Sequence, residues 1–299
     1  MKKFVIVTDS CSDLSKSLRT EYDIDYIPMH LIVDGKEYKA DLDWGDFSVE
    51  EYYKLVADGA KITTAQNNKQ DYLTAFSDYL ENGYDILSIS CSAALSASIH
   101  SSEQAREELL QKYPDSKIYC IDSLNAGMGL GLLCITASEM RKAGKTIEEA
   151  YQFVLDNRLN VHQECTVESL TYLKRAGRVS SMTAFFGGLL NVKPIIISDV
   201  NGMNASIEKV KGRKASFDRI VERFKDEYRS VPHQKLFLLH ANCIDDANEL
   251  KTAIEKACPD NLTVELGYLG PIVGASAGPG TVALYFFGKE VTYNSQASE

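Results

Sequence analysis

Short apolar, β-rich runs at residues 4–7, 85–90 and 117–121 are separated by stretches whose apolar residues recur at helical spacing. That alternation restricts the fold more than any other feature. Strands that follow one another across a helix run parallel, so the chain reads as α/β from its start. Helix punctuation agrees. Ser48 with Glu51 and Thr146 with Glu149 have capping-box spacing, and Gly59, Gly83 and Gly144 stand where helices should stop. Asp34-Gly35 lies between β-like runs at 26–33 and 37–39, and Asn201-Gly202 between runs at 195–200 and 205–210, so hairpins interrupt the parallel pattern.

Beyond residue 160 the rhythm changes, because strand candidates at 165–167, 195–200, 206–210, 235–240, 262–266 and 282–287 are joined by fewer long helices. The expectation is two α/β domains: residues 1–162 with a mainly parallel sheet, and residues 163–299 with a mixed one. A chain of 299 residues buries roughly three quarters of its extended surface on folding, so it needs no disulfide staples. Its seven cysteines are odd in number, scattered and without zinc spacing, as expected of reduced thiols in a cytoplasmic protein. A formal charge of -10 repels phosphate backbones and argues against a nucleic-acid partner. The amino terminus turns polar after a handful of apolar residues, and no later run approaches the ~20 that a membrane span needs. No signal peptide, anchor or membrane span is expected.

Several polar clusters follow the strand candidates. Thr8-Asp9-Ser10 sits at the carboxyl end of the first, the edge where doubly wound sheets bind ligands; the same residues suit a turn in which Ser10 or Ser12 caps a helix near Leu14. Thr63-Thr64-Ala65-Gln66-Asn67, between two helical patterns, and the segment from Ser90 to Ser98 are rich in hydroxyls and small residues. Such groups cap and turn chains, and they also donate to carboxylate or phosphate oxygens. Gly127, Gly129 and Gly131 follow Asp122-Ser123 with the wrong spacing for a dinucleotide loop and suit a helix that approaches its neighbours closely. Lys174, Arg175 and Arg178 form a compact basic turn suited to an anion, or a solvated helix end. Glycine is dense from Gly270 to Gly280, but no Lys completes a phosphate-binding P-loop. There is no G-x-S-x-G nucleophile elbow, and the five histidines show no metal spacing.

Taken in order, Thr8-Asp9-Ser10, Thr64-Ala65-Gln66, Leu95-Ser96-Ala97-Ser98, Asp122-Ser123, Tyr172 to Ser180, Val192-Lys193-Pro194-Ile195 and Gly270 to Gly280 resemble the bacterial DegV family of fatty-acid-binding proteins, in register over roughly residues 4–287. The resemblance implies a long-chain fatty acid of about 14–18 carbons in a tunnel between the two domains, the acyl tail supplying most of the affinity. It implies the acyl-binding subunit of fatty acid kinase: a lipid-binding protein that is not catalytic alone, carries no cofactor and hands its ligand to a separate ATP-dependent kinase. Thr64 matches the threonine of the family's T-S-Q and Ser96 the serine of its L-S-G-T, the hydroxyls expected on the carboxylate. Arg178 matches the arginine of the basic turn, expected at the pocket rim or the kinase-facing surface. Asp9, Ser10, Ser98 and Ser276 complete the expected ligand-binding set.

Neutral donors suit the task, because a carboxylate that must attack a phosphoryl group would be held back by bidentate pairing with Arg. The departures from the family pattern are informative. Gly274-Ala275-Ser276 stands where the family reads G-T-H, and Ala65, Ala97 and Ser98 replace Ser, Gly and Thr. Binding tolerates these changes better than phosphorylation does: burying ~14 methylenes at ~0.8 kcal/mol each gives an upper bound near ~11 kcal/mol, against ~1–3 kcal/mol for each head-group hydrogen bond. The alternative is a small-molecule hydrolase or other enzyme using Asp9 with Ser10 or Ser96 in the same cleft, with burial raising Asp9 enough to act as base.

Overall fold

The structure, a computed structural model, describes residues 3–180 and 191–298. β1 (Phe4–Asp9) leads through α1 (Lys16–Tyr22) to β2 (Ile24–Ile27), which lies parallel beside it. The chain then makes an antiparallel excursion through β3 (His30–Val33), β4 (Lys36–Lys39), α2 (Val49–Ala57) and β5 (Ile62–Ala65), with β3 central in a three-stranded sheet. α3 (Lys69–Glu81) returns it to β6 (Asp85–Ser90) on the other side of β1, and α4 (Ser98–Lys112) carries it on to β7 (Ile118–Asp122). The parallel sheet therefore runs β2-β1-β6-β7, and its winding reverses between β1 and β6. The crevice beyond the carboxyl ends of such a pair is where open α/β sheets bind ligands.

α5 (Met128–Lys142) and α6 (Ile147–Asn157) follow, and β8 (Val161–Thr166) opens the second sheet. After it come α7 (Leu170–Ala176), β9 (Val179–Ser180), β10 (Val192–Ser198), β11 (Asn204–Lys211), α8 (Arg213–Glu227), β12 (Leu236–His240), α9 (Ile244–Ala257), β13 (Val264–Tyr268), α10 (Pro271–Ala277) and β14 (Val282–Phe287). The second sheet is seven-stranded and mixed, in the order β13-β12-β14-β8-β10-β11-β9. β12 with β13 and β11 with β9 are parallel, and the other neighbours are antiparallel. The chain crosses between sheets at the turn Arg158–Asn160, so we draw the division of the chain there rather than after residue 162, which falls inside β8.

α5 sits between the sheets, packed against β1 and β6 on one side and β8 and β14 on the other. Every residue from Met128 to Ser138 is buried, the pattern of a helix that is apolar all round. The glycines at its start make this approach possible. Gly127 has φ +58° and a Cβ there would collide with the Tyr285 hydroxyl of β14; at Gly131 it would come within 2.9 Å of the Ser12 carbonyl oxygen. The expectation that these glycines serve close packing holds. β6, β8 and β14 are buried along their whole length, as strands covered on both faces must be.

Local signals fare well where they carry their own geometry. Both capping boxes form, Gly59, Gly83 and Gly144 follow helix ends at positive φ, and both expected hairpins are antiparallel pairs. The run at 26–33 is not one strand: Pro28, which cannot donate to a ladder, separates β2 from β3, and these belong to different sheets. The helix expected near Leu14 begins at Lys16, capped by Ser15, while Ser10–Ser12 form a 3-10 turn. Thr63 and Thr64 lie in β5, a strand too short for its alternation to be read from the sequence. Gly127→Ala is expected to lower stability by about 2 kcal/mol or more, because both the backbone conformation and the Tyr285 contact oppose a side chain there. Urea denaturation of the variant checks this.

Candidate functional site

A cavity of about 440 Å³ opens at the switch point between β1 and β6 and reaches across to the second sheet. Its N-terminal wall is built from three segments. β5 pairs with β3 so that Thr64 stands opposite buried Leu31, and the alternation that buries Ile62 brings Thr64 inward while Thr63 and Ala65 are exposed. The loop after β6 supplies Leu95 and Ser96, and the start of the α5 segment supplies Ala126. From the other half come Gly177 and Arg178 after α7, Asn204 at the start of β11, and Ile272, Val273 and Ser276 on α10. Four of the expected ligand-binding residues, Thr64, Ser96, Arg178 and Ser276, are thus brought to one cavity from four separate parts of the chain.

The other three stand behind its wall. Asp9 is fully buried at the end of β1; its Oδ1 accepts from the Cys11 N–H and its Oδ2 from the Cys91 N–H, each at 2.9 Å. Burial pushes its carboxyl above the usual range, opposed by those same backbone N–H groups. The carboxylate ties the turn after β1 to the turn after β6 and fixes the spacing of the switch point. Ser10 is fully buried and fully used, donating to the Ala40 carbonyl at 2.7 Å and accepting from the Met29 N–H at 2.9 Å. Ser98 is buried at the first turn of α4, where its hydroxyl meets that of Ser96 at 3.0 Å. Ser98 holds Ser96 in place rather than facing the cavity itself.

Two lining residues carry weight that sequence reasoning did not give them. Gln66 accepts from the Ala97 N–H at 2.8 Å through its Oε1, locking β5 to the loop that holds Ser96; it stands within the Thr64-Ala65-Gln66 block, which was the available signal. Asn204 donates to the Arg178 carbonyl at 3.2 Å and positions the basic turn, with nothing in the sequence to mark it. Arg178 in turn donates to the Leu95 carbonyl at 3.5 Å and the Ala176 carbonyl at 2.8 Å, reaching across the cavity mouth.

The floor is apolar, formed by Cys11, Met29, Cys91, Ala126 and Ile272. The Cys11 and Cys91 thiols touch. A hydrogen bond to Cys91 and burial push Cys11 well above the usual thiol range; on Cys91 that bond is the largest single influence and lowers it, but burial together with the charges of Asp9, Asp122 and Asp13 raises it overall. Both are uncharged at neutral pH and behave as small hydrophobes. Arg178 is the one charged side chain among the described residues lining this cavity. An adjoining recess of about 350 Å³ shares Thr64, Arg178 and Ser276 and adds Lys61 and Arg175, a cationic spot on a chain of net charge -10. Among the described residues no group of three or more His, Cys, Asp or Glu side chains could hold a metal ion, and no helix is long and apolar enough to cross a membrane.

A hydroxyl-lined mouth above an apolar floor, between a parallel sheet and a mixed one, marks an α/β protein with a candidate cavity at the junction of its two halves. The chain belongs to the DegV family: the family model described as "Uncharacterised protein, DegV family" matches residues 3–289. A DegV domain-containing protein of Clostridium perfringens is 37% identical over 288 residues, covering 96% of this chain and 98% of its own. A DegV lipid-binding protein from Thermotoga maritima superposes with a TM-score of 0.84 at 25% identity, over 97% of this chain and 100% of its own. A fatty-acid-binding DegV family protein from Thermus thermophilus gives 0.84 at 26% identity, over 96% and 100%. DegV from Bacillus subtilis, a fatty acid binding protein, gives 0.81 at 26% identity, over 97% and 100%.

Asp9→Asn is expected to lower stability by about 2 kcal/mol, since an amide has one oxygen for two backbone donors and turns its own N–H toward the second. The loss should appear in the denaturation midpoint and should not be reproduced by Ser96→Ala, whose hydroxyl lies on the cavity surface.

Proposed function

We propose that this chain binds one long-chain fatty acid, of about 14–18 carbons, with its carboxylate among Thr64, Ser96 and Ser276 and its tail over the apolar floor. The observation that carries this reading is the polarity of the cavity: hydroxyls and a single arginine at the mouth, thiols and aliphatic groups beneath. An amphiphile with a small anionic head satisfies both ends at once. Structural relatives described as lipid-binding, from Thermotoga maritima, and as fatty-acid-binding, from Thermus thermophilus and Bacillus subtilis, support it. The tail would lie inward along Ala126 and Ile272, in a tunnel between the two halves that the wall bearing these residues closes.

We infer further that the bound acid is presented to a separate ATP-dependent kinase. In that step a carboxylate oxygen attacks the γ-phosphorus of ATP, a new P–O bond forms as the bond to ADP breaks, and ADP leaves with its electron pair. The recess bearing Lys61, Arg175 and Arg178 beside the mouth suits the charge that gathers on the transferring phosphoryl group, or an acidic surface of the partner. Thr64 and Ser96 would orient the carboxylate without a countercharge that holds it back. The hydrolase alternative finds less support: both Asp9 oxygens accept main-chain N–H groups, and the Ser10 hydroxyl is engaged on both sides.

Mass spectrometry of the protein as purified is expected to find a fatty acid of this length; a bound polar metabolite would favour an enzyme instead. Ser96→Ala and Thr64→Ala should each weaken binding of a fluorescent fatty acid by about 1–2 kcal/mol, and the double variant by more, because each removes one donor while the tail contacts stay. Unchanged affinity in both would move the head group elsewhere. Ser276→His is expected to raise acyl-phosphate formation with a cognate kinase by about ten-fold or more, since a cationic donor follows the charge developing in transfer. An equal or lower rate would remove histidine as the missing donor.

A further inference from the structure

A second cavity, of about 380 Å³, lies on the other side of the wall that backs the proposed acyl site. The two are separated by single turns of chain: Cys11, Ala126 and Ile272 line the first, and Asp13, Met128 and Gly270 the second. Its size is that of a small-molecule pocket. The walls are aromatic and aliphatic, with Trp44, Phe237 and Tyr268 prominent. Tyr268 and Ile244 flank its mouth, and both are exposed, at 39% and 48%.

At its base stands Asp13, only 6% exposed, with no side-chain partner among the described residues on either carboxyl oxygen; burial pushes the carboxyl well above its usual range, and the Gly270 N–H beside it pulls the other way. The Gly270 backbone lies against it, and a Cβ on Gly270 would sit 2.5 Å from Oδ1, so the glycine leaves the carboxyl room. A buried carboxyl without a side-chain partner is costly, and no cation of the protein answers it: no Lys or Arg is among the described residues lining the cavity. Glu265 adds a second acid, and His240, whose Nδ1 accepts from the Cys243 N–H, is held neutral by burial. The cavity therefore disfavours anions. Two carboxyl groups, both pushed up by burial, are too few oxygens for a hard metal ion, whereas aromatic faces suit an ammonium group, which would draw the proton from Asp13 on binding.

We propose that this cavity is a second ligand site, which takes a protonated primary amine on an apolar body, its ammonium on Asp13 and its body against Trp44, Phe237 and Tyr268. The site is independent of the acyl cavity and of the reading proposed for it.

Trp44 is the single tryptophan of the chain, so its emission reports directly on the cavity. Titration of the full chain with phenethylammonium, followed by Trp44 fluorescence and calorimetry, is expected to saturate. The neutral 2-phenylethanol and the anionic phenylacetate should bind about ten-fold or more weakly than the amine. Asp13→Asn should cost the amine about ten-fold or more and leave binding of a fluorescent fatty acid unchanged, because asparagine tolerates the left-handed backbone of residue 13 (φ +51°). Tyr268→Ala, at the exposed mouth, should weaken the amine several-fold and serves if Asp13→Asn does not fold. Amine affinity should be the same with and without bound fatty acid. Absence of saturation, equal binding of the alcohol or the anion, full affinity in both variants, or displacement of the amine by fatty acid would overturn the assignment.

Discussion

The burial of α5 on both sides is the constraint on which the rest of the architecture depends. A helix between two sheets has no face left for water, so it must be apolar or small all round, and from Met128 to Ser138 every residue is buried. The sheets it joins must in turn bury their strands on two faces, which is why β6, β8 and β14 carry no solvent-facing positions. Close approach at the helix start is set by glycine. With Gly127 beneath Tyr285 and Gly131 against the main chain of Ser12, the turn after β1 and an interior strand of the second sheet, β14, meet around one point. Both cavities open from that meeting.

Polar groups at the switch point divide into those that build it and those that face the ligand space. Asp9 and Ser10 use every strong acceptor or donor they have on backbone groups of Cys11, Cys91, Met29 and Ala40. Burying them so completely is tolerable only because they are satisfied, and their commitment makes the turns after β1 and β6 rigid. Thr64, Ser96 and Ser276 are half-buried at the cavity instead, Ser96 held from behind by the Ser98 hydroxyl and N–H. The same residue types thus serve opposite roles a few ångströms apart. Asp13 belongs to neither group: it is as buried as the first, yet no side chain among the described residues answers its carboxyl, which burial pushes well above the usual range.

Charge is distributed with the same economy. The chain carries a net -10, yet Lys61, Arg175 and Arg178 gather beside the mouth of the first cavity, while the second is lined by Asp13 and Glu265 with no Lys or Arg among the described residues that line it. Two neighbouring spaces separated by one layer of backbone are therefore lined by different chemistry, basic side chains beside one and acidic side chains along the other.

Much of this could be read from residue order alone, because the signals were local. Period-two and helical patterns, capping boxes and turn glycines carry their geometry within a few residues, so the alternation of elements, both hairpins and the mixed second sheet were legible, and the ordered blocks from Thr8 to Gly280 marked the family. What the sequence could not separate was which hydroxyl faces the ligand. Ser10 and Ser96 look alike in one dimension, each a serine after a strand, and only the placement of Ala40 and Met29 against Ser10 makes it structural. Gln66 and Asn204 enter the site through partners 31 and 26 residues away, and Asp13 becomes unusual only when Gly270 closes over it from the far end of the chain. Residue order determined the elements and the chemistry on offer. Tertiary packing alone decided which of those groups are satisfied by the protein and which are left for a ligand, because satisfaction of a buried polar group depends on atoms brought from elsewhere in the chain.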